Sequence, residues 1–399
     1  MTAVPSEERV DQAMSIEDVL SPELLGRIRD RAPGYDARNE FCAEDLEDLR
    51  QAGYLKALVP TEFGGLGWEL PQLVAAQRLL AAYAPATSLA VNMHHVWVSV
   101  ARQMVRMGHD EFEQVLTETA QGHIFAFGIS EPGNDAVLFD SVTEAQVLED
   151  GAVSFTGIKI FTTLSPVWTR LGLFGKDTAA SGAEAEKPLI FGFLPREAQG
   201  WRSAEDWDVL GMRATHSHST ILEGATVPAG RIVRRLPTGP NQDPLVFAIF
   251  SSFLTLLAAV YTGLGDRALE LGAEHAAART ALTTGESLDQ DPDIRYKLAE
   301  AQLAQLALDA QLSGIAADVE TAAEHGASWF PRLVTLRTTA TRTARAVLET
   351  ALAVSGGAQY RRTSELSRLY RDALAGIHHP SDDESAHRTL ANYLLGPLG

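Results

Sequence analysis

The chain has 399 residues and carries 52 Asp and Glu against 33 Lys and Arg, a net charge of −19. That balance argues against nucleic acid or an anionic membrane surface as the main partner, because phosphate binding draws on clustered Lys and Arg. A single cysteine, Cys42, excludes an intramolecular disulfide, a Cys-based zinc site and a CxxC pair, and predicts a cytoplasmic protein.

With 45% hydrophobic and 21% charged residues the chain is expected to fold, and its length calls for two or three packed units. The acidic N-terminus lacks the apolar core of a secretory signal. From Ser15 to about His123 the apolar spacing is helical, with a Gly-rich break at 61–70. From Ile124 to about Val233 the texture changes to short β-type runs bounded by Gly, Pro, Asp and Ser, which predicts a small sheet or barrel. The segment 237–244 is a Pro- and Gly-bearing breaker, after which helical periodicity returns to the end. Ala299, Leu303, Leu306 and Ala310 are expected to form a buried stripe there. The stretch 245–265 has 21 residues without a charge, long enough to span a bilayer. Ser251, Ser252, Thr255 and Thr262 interrupt it and no basic cluster flanks it, so it reads as the central helix of a bundle. The resulting expectation is an α+β protein: an N-terminal helical domain (1–123), a middle β-barrel or sheet domain (124–236) and a C-terminal helical bundle (237–399). Ligand sites favour the crevices where such layers meet.

Several strings, in chain order, carry a resemblance. They are Leu58-Val-Pro-Thr-Glu-Phe-Gly-Gly-Leu-Gly67, Ser130-Glu-Pro-Gly133, Gly157-Ile-Lys-Ile-Phe-Thr-Thr163, and Leu210-Gly-Met-Arg-Ala-Thr215 followed by Ala225-Thr-Val-Pro228. Arg279, Ser355-Gly-Gly357 and Tyr370-Arg-Asp-Ala373 complete the set. Together they resemble the acyl-CoA dehydrogenase superfamily of flavoproteins over roughly residues 20–397. The resemblance implies an FAD cofactor whose ring lies between the β-domain and the C-terminal helices. Phe127, Ile129, Ser130 and Gly133 match the loop that faces the flavin's pyrimidine edge. Phe161 takes the place of a Trp beside the ring, and Thr163 that of a hydroxyl near its N5. Arg279, Gly356 and Gly357 match groups that reach the diphosphate and adenine of a neighbouring subunit, which implies a homodimer or homotetramer. Two departures touch that last set: Leu282 stands for a Phe and Ala353 for a Gln.

The larger departure concerns the base. Dehydrogenating an acyl thioester at Cα–Cβ needs a group to take a weakly acidic α-proton, and a carboxylate in a dry pocket suits that task. Family members place this Glu shortly after the Tyr-Arg-Asp string, or on the helix near Phe253. Here the first place reads Gly376-Ile-His-His-Pro-Ser-Asp-Asp-Glu384 and the second holds no carboxylate. One reading keeps acyl-thioester oxidation with His379, Asp382 or Asp383 as substitute base. The alternative resembles the two-component flavin monooxygenases of this fold, which use reduced flavin and O₂, with His379 and His95 near the flavin. The intact Ser-Glu-Pro-Gly string favours the first reading, the missing Glu and the altered adenine contacts the second; acyl-thioester dehydrogenation is the expected reaction, and monooxygenation the alternative. A third possibility is a non-catalytic flavin- or partner-binding homologue. No metal site is expected, since the adjacent His94 and His95 point to different faces of a helix and His216 and His218 have no evident carboxylate partner.

Overall fold

The structure is a computed structural model that describes residues 14–181 and 187–398. Its helices and strands follow the order read from the sequence. Six helices come first: α1 (Ile16–Val19), α2 (Pro22–Arg38), α3 (Ala43–Gln51), α4 (Leu70–Tyr83), α5 (Pro85–Arg106) and α6 (Glu113–Ala120). Eight strands follow: β1 (Phe125–Gly128), β2 (Glu144–Val147), β3 (Val153–Lys159), β4 (Arg170–Asp177), β5 (Leu189–Pro195), β6 (Trp201–Ser203), β7 (Thr220–Val227) and β8 (Ile232–Leu236). Then come α7 (Pro244–Ala277), α8 (Pro292–Glu320), α9 (Trp329–Ser355), α10 (Glu365–Leu374) and α11 (Asp383–Leu395).

The strands form one sheet in the order β6-β7-β3-β2-β4-β5-β8. β1 and β2 share one edge of β4, both parallel to it, β1 against Arg170–Leu173 and β2 against Lys176–Asp177. The segment between β1 and β2 therefore leaves the sheet as a loop, and it carries the Ser-Glu-Pro-Gly string. Alternation along β1 divides the two faces. Ala126 packs inside the β-domain with Phe155, Leu171 and Leu173, while Phe125 and Phe127 join the helical core.

The uncharged stretch 245–265 lies within α7, a helix of 34 residues that starts at Pro244 behind the Asp243 cap. It is long and apolar enough to cross a membrane, but it is almost wholly buried and packs against α4, α5, α8 and α9. Gly263 shows how tight that packing is: a Cβ there would sit 2.0 Å from the Arg78 carbonyl of α4, so only glycine permits the approach. On α8 the expected stripe is corrected. Ala299, Leu303, Leu306 and Ala310 are exposed, and Ala301, Gln305, Leu308, Leu312 and Ile315 face the core instead. With alanine spread over every side of this helix, two apolar stripes at the same period coexist, and the period cannot say which is inside.

Candidate functional site

Two of the recognised strings are joined by one buried ion pair. Glu131 Oε1 lies 2.6 Å from Lys159 Nζ, and both side chains are fully buried. Lys159 also donates to the Phe174 carbonyl at 2.7 Å. Glu131 accepts from the Ser141 hydroxyl, the Val142 and Thr143 N–H groups and the Asn134 amide. Burial raises the Glu131 pKa, but Lys159 and these donors outweigh it and hold the carboxyl down at about 2. The pair ties the loop after β1 to the end of β3 and so places Ser130 and Phe161 on one side of the sheet.

A second pair of strings interlocks in the same way. Asp372 of α10 is buried and accepts from the Met212 N–H at 2.5 Å, and burial pushes its carboxyl up to about 6. Arg371 holds both oxygens of Asp36, at 2.8 and 2.6 Å, and the Leu210 carbonyl at 3.0 Å. Between Leu210 and Met212, Gly211 lies so close to α10 that a Cβ would meet the Arg371 carbonyl at 2.1 Å. The 210–212 turn is thereby fixed to the C-terminal helices.

These two anchorings enclose a cavity of about 300 Å³ between the sheet, α5, α7 and the turn after α10. Its apolar wall includes Leu89, Met93, Phe127, Trp207 and Phe253. Phe127 stacks on Phe253 of α7, with ring centroids 5.4 Å apart and planes at 13°. Phe161 lines the opening half-exposed, edge-on to Trp207 at 6.3 Å. The polar lining is Ser130, Thr163, Thr215, Ser217, Arg371, His378 and His379, and no Asp or Glu lines the cavity among the described residues. Thr163 Oγ1 is 2.7 Å from Ser217 Oγ, which is 2.8 Å from Thr215 Oγ1.

His379 enters the cavity from the turn after α10. Its Nε2 is 2.9 Å from the Tyr261 hydroxyl of α7. The fully buried Arg337 of α9 holds that turn, donating to the carbonyls of Gly376 and His379, each at 2.6 Å. Burial, and then the Arg337 charge, push the imidazole pKa down to about 3, so His379 is neutral. Tyr261 is itself buried, and its hydroxyl has no other partner among the described residues. Its proton therefore goes to Nε2, which puts the imidazole proton on Nδ1. His379 offers the cavity an N–H.

The other expected catalytic residues lie elsewhere. Asp382 caps α11, accepting from the Ser385 N–H at 2.9 Å, and Asp383 pairs with Arg342 at 2.8 Å. Neither lines the cavity. An Asp two or three residues after a turn is as well suited to cap the next helix as to act as a base, and capping is its role here. His95 is fully buried, edge-on to the Tyr54 ring at 4.9 Å, with both ring nitrogens unpartnered. His94 is a packing residue that bridges the Leu55 carbonyl and the Phe125 N–H. No group of three or more His, Cys, Asp or Glu could hold a metal among the described residues.

Of the expected cofactor residues, Phe127, Ser130, Phe161 and Thr163 line the cavity. Ile129 is buried in the helical core and does not line the cavity, and Gly133 turns the loop in a left-handed conformation. Arg279, Gly356 and Gly357 form a separate cluster at the end of α9, where Arg279 donates to the Val354 carbonyl at 2.9 Å and covers Gly356. Sequence reasoning missed Tyr261, Trp207, Thr215 and Ser217. Thr215 ends a 3-10 turn and the left-handed His216 separates it from Ser217, so no regular spacing marked the two hydroxyls as neighbours.

The apolar walls suit a flat ring, and the hydroxyls and N–H suit its polar edge, so the lining fits a flavin ring. Comparison with known proteins agrees. The family description "Acyl-CoA dehydrogenase, N-terminal domain" matches residues 20–123 and "Acyl-CoA dehydrogenase, C-terminal domain" matches residues 255–383, together more than half of the chain. The chain is 25% identical to "Putative acyl-CoA dehydrogenase YdbM" of Bacillus subtilis (strain 168), over 92% of this chain and 95% of that protein. It is 27% identical to dibenzothiophene monooxygenase of Rhodococcus erythropolis, over 75% of this chain and 72% of that protein. The solved structure of KijD3 in complex with FMN and a dTDP-linked amino-keto sugar superposes with a TM-score of 0.85 at 23% identity, covering 96% of this chain and 94% of that one. A motif set in chain order, the helix–sheet–helix architecture that joins those motifs in pairs, and these matches lead to one conclusion: the chain belongs to the acyl-CoA dehydrogenase superfamily of flavoenzymes.

Proposed function

We propose that this chain is a flavin-dependent monooxygenase that uses reduced flavin and O₂ on a small-molecule substrate, rather than an acyl-thioester dehydrogenase. The observation that carries the reading is the state of His379 in a cavity without a carboxylate. An imidazole with a pKa near 3, accepting from Tyr261 at Nε2, is a poor base for an α-proton and a ready hydrogen-bond donor. When bound, reduced flavin would supply the electrons that activate dioxygen. Phe127 and Phe253 would pack against the ring, Ser130 and Thr163 would meet its polar edge, and the Nδ1–H of His379 would hydrogen-bond a developing oxygen anion.

The feature that favoured acyl-thioester oxidation loses its weight. The Ser-Glu-Pro-Gly string owes its Glu to the buried pair with Lys159, a need independent of the reaction catalysed. Arg371, the one permanently cationic group lining the cavity among the described residues, is already committed to Asp36, which leaves little to hold an anionic carrier. The monooxygenase activity named for the Rhodococcus relative and the FMN in the KijD3 structure support the same reading. FAD, the cofactor implied by the motifs, would need its adenine half held by Arg279, Gly356 and Gly357 of a partner protomer, because that cluster lies apart from the cavity. The exposed Leu303 and Leu306 of α8 suit such a homodimer or homotetramer.

The test is paired. Reduced flavin and ¹⁸O₂ with a panel of apolar and amino-sugar substrates should give product carrying one labelled oxygen. Oxidised flavoprotein mixed anaerobically with an acyl-CoA panel should keep its visible absorbance. Bleaching by any thioester would return the assignment to dehydrogenation, and sedimentation with FMN or FAD would report the assembly.

A further inference from the structure

Three hydroxyls along the cavity wall form a relay whose direction can be deduced. Thr215 Oγ1 lies 2.9 Å from the Met212 carbonyl oxygen, which can only accept. Two oxygens at that separation with no hydrogen between them repel, so the single Thr215 proton is spent on Met212. The 2.8 Å contact between Ser217 and Thr215 must then be donated by Ser217. The 2.7 Å contact between Thr163 and Ser217 must in turn be donated by Thr163. All three side chains are almost wholly buried, Thr215 at 0%, Ser217 at 5% and Thr163 at 6% exposure, so bulk water does not scramble the order. Thr163 lines the cavity with its proton already committed and only lone pairs left to offer.

We infer that this relay makes Thr163 an obligate hydrogen-bond acceptor and so selects the reduced flavin, which bears N5–H, over the oxidised flavin, whose N5 can only accept. The inference rests on the proposal that the cavity holds flavin, and on the family resemblance that sets Thr163 beside N5. Matched to N5–H, Thr163 completes a hydrogen bond; matched to an oxidised N5, it sets two acceptors against each other in a buried site, the costly arrangement. Thr163 here sets specificity, and Ser217 and Thr215 act through it as positioning residues. An enzyme that takes up flavin already reduced would gain directly from this polarity.

The test uses the purified full-length chain in anaerobic titrations with oxidised and reduced FMN and FAD. Reduced flavin should bind about tenfold or more tightly, which raises the midpoint potential of the bound flavin by about 30 mV per tenfold. Ser217→Ala frees the Thr163 proton, so affinity for the oxidised form should rise and the preference should fall by about tenfold. Thr163→Val should weaken reduced flavin with no gain for the oxidised form, which separates loss of the acceptor from general damage to the pocket. Equal affinity for both forms in the unmutated protein, or an unchanged ratio in Ser217→Ala, overturns the inference while leaving the flavin site standing. Failure of both forms to bind overturns the flavin assignment and this inference with it.

Discussion

Lys159 Nζ and Glu131 Oε1 meet at 2.6 Å with neither side chain exposed, so two strings 28 residues apart act as one electrostatic unit. Taking two charges out of water is costly, and the cost is met only because each partner also has further hydrogen bonds. Lys159→Met would strand a carboxylate in the interior and should cost about 3–5 kcal/mol of stability, read as a lowered denaturation midpoint. Adding Glu131→Gln should recover part of that loss by removing the stranded charge. A single variant as stable as the parent would show that the pair does not hold the loop.

Legibility in the sequence followed how local each cause was. The helix–strand–helix order was visible because periodicity and turn residues are local, and α7 read as a core helix from its serines, threonines and flanks. The burial of α8 was not, because Leu303 and Leu308 belong to opposite faces of a helix with alanine on both. Phe127, Ser130, Phe161 and Thr163 were found through strings with a recognisable form. Tyr261 was hidden as a single aromatic inside an apolar run, and its partner lies 118 residues away. Asp382 drew attention for its proximity to His379 in sequence, although its carboxylate turns into its own helix.

Removing that carboxylate separates the two roles. Asp382→Ala should cost about 0.5–2 kcal/mol of stability, the usual value of an N-cap, and leave kcat unchanged. His379→Ala should leave stability nearly untouched and lower kcat by about a hundredfold or more. A large fall in kcat for Asp382→Ala, with flavin still bound, would return the carboxylate to the reaction.

Tyr261 acts on His379 from behind. Tyr261→Phe keeps the ring and removes the proton that occupies Nε2, so the imidazole should become a mixture of tautomers. The ¹⁵N shifts of His379 should move from the Nδ1–H pattern toward an average, and kcat should fall by about tenfold while flavin affinity holds. Unshifted nitrogen signals in the Tyr261→Phe variant would show that the tyrosine hydroxyl does not set the tautomer.

His95 offers a prediction about acid stability. Burial, with a smaller contribution from His94, holds its pKa well below the usual histidine value, and neither ring nitrogen has a partner. The groups packed around it are the Tyr54 ring and His94, and neither supplies a negative charge to stabilise an imidazolium. In the folded state His95 therefore stays neutral where the unfolded chain would protonate it, from about pH 6.5 downward. Between those two pKa values the unfolded state binds more protons, so stability rises with pH and is lost on acidification. The loss from this residue should grow as the pH falls from 7 toward 5. His95→Leu removes the titration and keeps an apolar side chain in the same space. Its stability relative to the parent should therefore improve between pH 7 and pH 5, whatever its absolute value at neutrality. Parallel stability curves for the two proteins across that range would mean that His95 takes up its proton in the folded state as readily as in the unfolded one.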